Sequence, residues 1–159
     1  MAIGTGDGIW KFGTLDSLDD GTTSSISDTA YSTTTDVAVW TNDDDAPHAS
    51  FVLTFQFPSG TIDTNGIQLF ATMLNNNGTT DEPATAATWQ GHFLGNFATA
   101  ATGGSMVATT NYTLVLGPVE LPVTKTSQEY QFYFKNDCGV TISANWQLDV
   151  IPMAIGPKA

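Results

Sequence analysis

Eleven consecutive residues near the end of the chain, Val140 to Val150, alternate in character without a break. Val140, Ile142, Ala144, Trp146, Leu148 and Val150 fall on one side, and Thr141, Ser143, Asn145, Gln147 and Asp149 on the other. Successive side chains of a strand point to opposite faces, so this segment reads as a strand with one buried and one polar face. Just before it, Tyr130, Phe132 and Phe134 alternate with Gln131, Tyr133 and Lys135, and Asn136-Asp137-Cys138-Gly139 carries turn chemistry. The expectation is an antiparallel hairpin with Cys138 at an exposed tip and Pro152 ending the return strand.

The same period of two recurs upstream. Asp36 to Trp40 reads as a short strand, followed by an acidic turn through Asp43, Asp44 and Asp45. Phe51, Leu53, Phe55 and Phe57 then oppose Ser50, Thr54 and Gln56, and Pro58-Ser59-Gly60 stops the run. Ile67 to Leu74 is apolar on both faces, as in a central strand, and Asn75 to Pro83 reads as an extended loop. Trp89 to Ala98 places Trp89, Gly91, Phe93, Gly95 and Phe97 on one face, and Tyr112, Leu114 and Leu116 form another strand before Gly117-Pro118. No segment has a helical period.

Composition agrees. The chain has 25 threonines, more than its 4 lysines and 16 carboxylates together, and β-branched hydroxylated side chains suit half-buried strands. The expected fold is all-β: an antiparallel β-sandwich, jelly-roll-like, of about seven or eight strands over residues 36–159. Residues 1–35, rich in Gly, Ser, Thr and Asp, read as an irregular N-terminal arm. Within it Ile9-Trp10-Lys11-Phe12 is one short strand or an anchor. Exposed rings would be wasteful in a free tail, so the arm is expected to dock on its own domain or on a neighbouring chain. Ile9, Trp10 and Phe12 are the candidate partner-binding residues.

Charge and residue types narrow the chemistry. A net charge of −12 with no arginine cannot neutralise a phosphate backbone or an anionic bilayer, so neither nucleic acid nor membrane is expected as a partner. The first residues lack the basic and apolar regions of an export signal, which points to synthesis in a cytoplasm. One cysteine excludes an internal disulfide. Only His48 and His92 could act as imidazole bases, and no nucleophile elbow accompanies them. No enzyme activity and no cofactor are expected. Zinc patterns are absent. Calcium is the inorganic alternative, with Asp43, Asp44 and Asp45 as the foremost oxygen cluster, then Asp16, Asp19 and Asp20, then Asn77, Asp81 and Glu82. Trp40, Trp89, Tyr112 and Tyr133 are the rings on which a sugar would stack.

Two motifs carry a resemblance. Asn75 to Pro83 followed by Trp89-Gln90-Gly91-His92-Phe93-Leu94-Gly95-Asn96-Phe97, and Tyr130 to Gly139 followed by Ser143-Ala144-Asn145-Trp146, resemble small structural proteins of tailed bacteriophages over about residues 66 to 153. The resemblance implies a virion component, a capsid decoration or cement protein on the capsid exterior, made in the host cytoplasm. Its implied partners are the major capsid protein and further copies of itself, with a trimer favoured. A carbohydrate- or receptor-binding module of a tail or head fibre is the alternative.

Overall fold

A computed structural model describes residues 8–19, 21–62, 66–75, 91–99 and 106–157. Among these residues there are nine strands and no helix: β1 Gly8–Phe12, β2 Asp16–Ser17, β3 Trp40–Asn42, β4 His48–Phe55, β5 Ile67–Leu74, β6 His92–Phe97, β7 Tyr112–Glu120, β8 Gln128–Asn136 and β9 Gln147–Pro157. They form two antiparallel sheets packed as a β-sandwich. The first sheet has the order β1-β9-β4-β7, with β2 also paired to β9; the second has the order β3-β8-β5-β6.

The core lies between the sheets and follows the alternation in the sequence. Phe51, Leu53 and Phe55 of β4 and Leu148 and Val150 of β9 face Ile67, Leu69 and Ala71 of β5 and Tyr130, Phe132 and Phe134 of β8. Rings cross the interface edge to face: Phe51 on Phe132 at 4.9 Å and Trp146 on Phe134 at 4.6 Å between centroids.

The hairpin expected from Tyr130 to Val150 is corrected. β8 and β9 belong to different sheets, and the chain between them crosses the sandwich. A period of two specifies which face is buried, and both a hairpin and two facing strands satisfy it. The crossing is held by Asn136, whose side-chain amide donates to the Ile26 and Val140 carbonyls while its oxygen accepts from the Cys138 thiol. Cys138 is therefore buried rather than exposed at a tip.

Pro152 does not end the last strand; β9 continues to Pro157. A proline lacks the N–H of an internal ladder and is ordinarily kept to an edge. Here its carbonyl accepts from Gly13 N–H at 2.8 Å, so the missing donor faces the break between β1 and β2. A gap in the neighbouring strand accommodates the gap in β9.

Two further differences come from local geometry. Residues 36–39 are not in a strand, which begins only at Trp40. On β6, Phe93 and Phe97 do not share a face: Leu69 pairs with Gly95 and Phe70 with Phe93, so a bulge intervenes. A bulge inserts one residue and reverses the alternation beyond it. Phe97 is buried and Phe93 is exposed. The start of that expected strand, including Trp89, and most of the loop after Asn75 lie outside the described residues.

The segment set apart as an arm is, from Gly8 onward, integrated with the sandwich. β1 and β2 form the border of the first sheet. Residues 29–32 border the second: Ser32 N–H donates to the Phe134 carbonyl, Asn136 N–H to the Ala30 carbonyl and Thr29 N–H to the Asn136 carbonyl. Leu18 and Ile26 enter the core.

Candidate interaction surface

The expected partner-binding residues lie on β1, at the border of the first sheet. Cross-strand neighbours share a face, so the register Trp10↔Ile155 and Phe12↔Met153 puts these four side chains on the outer face of that sheet. Met153 is buried beneath the group and accepts a contact from Ser50 Oγ at 3.0 Å. Above it Trp10 is 38% exposed, Phe12 66% and Ile155 60%. Trp10 stands edge-on to the His48 ring, with centroids 5.1 Å apart, and His48 Nδ1 is buried with no hydrogen-bond partner. Ile9 is half-buried and alternates to the opposite face. On that face the Lys11 stem runs across Gly156, where an added Cβ would meet Lys11 Cε at 2.9 Å.

The main chain of β1 has a definite polarity. Gly13 N–H points to β9, and inward and outward main-chain groups alternate along a strand. Given the register, Ile9 and Lys11 also turn their main-chain groups to β9, whereas those of Trp10 and Phe12 face away. Among the described residues no strand pairs with β1 on that side. The two β1 residues with exposed rings are thus also the two whose main-chain groups meet no strand among the described residues.

An acidic group, Asp44, stands at this corner, sharing a shallow hollow with Lys11, Phe12, Gly13 and Met153. Met153 and Ile155 are the members of the patch that sequence reading missed, because a strand ending at Pro152 leaves them out. The signal was the continued alternation Ile151, Met153, Ile155.

The expected calcium cluster does not converge. Asp43 and Asp44 are exposed in the turn between β3 and β4, while Asp45 turns its carboxylate to accept from Ser127 N–H at 2.7 Å. Asp16 accepts from the Trp40 indole at 3.0 Å, and Asp19 accepts from Gly21 N–H and Leu148 N–H. These carboxylates serve protein donors, and the described residues contain no group of three or more His, Cys, Asp or Glu able to hold a metal. Asp20, Asn77, Asp81 and Glu82 lie outside the described residues. Of the two histidines, His48 backs Trp10, and His92 is exposed on β6, on the second sheet.

The rings considered for sugar stacking are mostly committed elsewhere. Trp40 and Tyr133 are buried, and Tyr112 stacks on Phe57 at 6.2 Å while its hydroxyl accepts from Val107 N–H. A second exposed ring, Phe93, lies edge-on to Phe70 at 5.5 Å on the outer face of the second sheet.

No family model, no curated protein and no solved structure matches this chain.

Proposed function

We propose that the protein is a non-enzymatic structural component of a virion, a capsid decoration or cement protein that binds and stabilises the major capsid lattice from outside. The observation that carries this reading is the strand pairing. β1 pairs with β9, β3 with β8, β4 with β7 and β5 with β6. Four nested antiparallel pairs, split four and four between two sheets, are what a long hairpin gives when it rolls up, and that supports a jelly roll. Jelly rolls occur in capsid and lectin domains alike, so the fold raises the reading without defining it.

The surface supports it further. A capsid presents many identical sites, and a partner that clamps them needs complementary apolar and main-chain groups rather than chemistry. Trp10, Phe12 and Ile155 beside an open strand edge provide both. Self-association as a trimer is part of the proposal; symmetric assembly is common in general, and the number three comes from the resemblance to phage structural proteins alone. The implied location is the capsid exterior, after synthesis in the host cytoplasm.

The test is stoichiometry in purified particles. On the order of hundreds of copies per virion is expected from a lattice-binding protein, and stripping it lowers the temperature at which capsids open. A handful of copies per particle, with a positive glycan array, replaces this reading with a receptor-binding module.

A further inference from the structure

We infer that the free side of β1 takes up an extended segment of a partner chain as an additional strand, and that the segment it selects alternates apolar with basic residues. The inference rests on the reading of Trp10 and Phe12 as partner-binding residues and specifies how they bind and what they bind. Two observations converge on this edge. The N–H and C=O groups of Trp10 and Phe12 point away from β9, in the spacing of every second residue that an incoming antiparallel or parallel strand requires. The side chains of those same residues, with Ile155, make an exposed apolar strip along one face of the edge. An added strand whose alternate side chains are apolar extends that strip and covers it.

Charge selects the partner. Edges are normally guarded by inward-pointing or flanking charges, above all lysine. The one lysine here, Lys11, is drawn back over Gly156 on the other face, and the Asp44 carboxylate stands beside Gly13 at the end of the strand. The molecule as a whole carries −12, so a second copy approaching edge to edge meets repulsion, while a basic segment is attracted. The occupant is therefore a basic-apolar strand of a different protein and not a second copy of this chain.

The test uses the full chain and two synthetic ten-residue peptides, one alternating Lys with Val and one alternating Glu with Val. With the Lys-Val peptide, hydrogen exchange at the Trp10 and Phe12 amides is expected to slow by about tenfold or more, because both become ladder donors. The Ile9 and Lys11 amides, already bonded to β9, change little. The Glu-Val peptide has no effect, and raised salt weakens the Lys-Val response. Phe12→Pro removes one outward donor without touching the β9 ladder and abolishes the response, while circular dichroism and the thermal midpoint remain near those of the parent.

Unchanged exchange at Trp10 and Phe12 under saturating Lys-Val peptide overturns the inference. So does protection of those amides in the protein alone together with dimers in sedimentation, which identifies a second copy as the occupant. Capsid binding provides the separation from the broader proposal. Peptide uptake without attachment to capsids leaves this inference standing and removes the virion reading. Attachment that survives Phe12→Pro leaves the virion reading standing and removes this one.

Discussion

The first strand and the segment from Gly21 to Ala38 come from the same Gly-, Ser- and Thr-rich stretch, yet they meet opposite fates. β1 contributes nothing to the central core cluster, its rings are exposed, and among the described residues no strand pairs with the alternate main-chain groups that face away from β9. The later segment is pinned at many points. Thr23 Oγ1 donates to the Trp146 carbonyl, Trp146 Nε1 to the Ser24 carbonyl, and Gln131 Nε2 to the Val37 carbonyl. Asp36 accepts from Ser24 N–H and from Thr33 Oγ1. The lesson is that a polar segment is ordered here by donors and acceptors reaching out from the sandwich, while an apolar one stays at the margin. Burying a polar main chain demands partners for each group, and the second segment has them.

The sharpest way to break the sealed region is Trp146→Ala, which removes the ring against Phe134 and the indole bond to Ser24. A loss of about 3–5 kcal/mol is expected, read as a fall in the urea midpoint. Asn136→Ala comes next. It takes the amide donor from the Val140 carbonyl and the acceptor from the buried Cys138 N–H and thiol, while the Ile26 carbonyl keeps only Ile142 N–H; the cost is roughly 2 kcal/mol, and hydrogen exchange should show Ile26 to Ser32 opening ahead of the rest.

Two titrations sharpen the contrast further. Burial pushes the Tyr130 phenol up from 10.0 to about 12, against a hydrogen bond with Asn42 that lowers it. The unfolded chain then ionises first, so the stability is intact below about pH 10 and declines as pH rises towards 12. Tyr130→Phe removes that part of the alkaline decline, although it also loses the bond to the Pro122 carbonyl. At Asp36 burial favours the neutral acid, but the hydrogen bonds from Thr33 and Ser24 outweigh it and hold the carboxyl below its ordinary 3.8. Its stabilisation is complete above that pH and is lost as pH falls through the lowered value. Denaturation curves of Asp36→Ala should therefore run closer to the parent in acid than at neutral pH.

The smallest change in stability is expected at the margin. Phe12→Ser alters an exposed side chain and should shift the folding free energy by no more than about 0.5 kcal/mol. Binding to capsids should nonetheless fall steeply. A large stability loss from Phe12→Ser would erase the distinction between the two regions.

Much of the architecture was legible in the sequence. The alternation in Phe51 to Phe57 and Tyr130 to Phe134 identified the side chains that face the core, and so did Ile142, Trp146, Leu148 and Val150; Ala144 is exposed and Asp149 buried, because residues 140–146 cross between the sheets and the strand begins only at Gln147. Partnership was not legible, because period two says nothing of which strand lies alongside; β8 and β9 were read as a hairpin for that reason. The bulge at Gly95 was equally silent, since one inserted residue reverses a face without altering composition. The polarity of the arm hid how it docks: nothing local marks Thr23, Ser24 or Ser32 as bonded to residues distant in the chain. Of the candidate surface, Trp10 and Phe12 were visible as rings in a polar stretch, while Met153 and Ile155 were hidden behind a proline read as a terminator.

That proline also bears on how the molecule carries load. The break opposite Pro152 divides the border of the first sheet into a five-residue strip before Gly13 and a separately anchored length after it. Tension applied through a partner held on β1 would unzip the strip one residue at a time and stop at the break, where Leu18, Asp19 and Thr23 take over the attachment. Peeling β1 from β9 would uncover Met153 and leave in place the clustered core, to which β1 contributes no side chain.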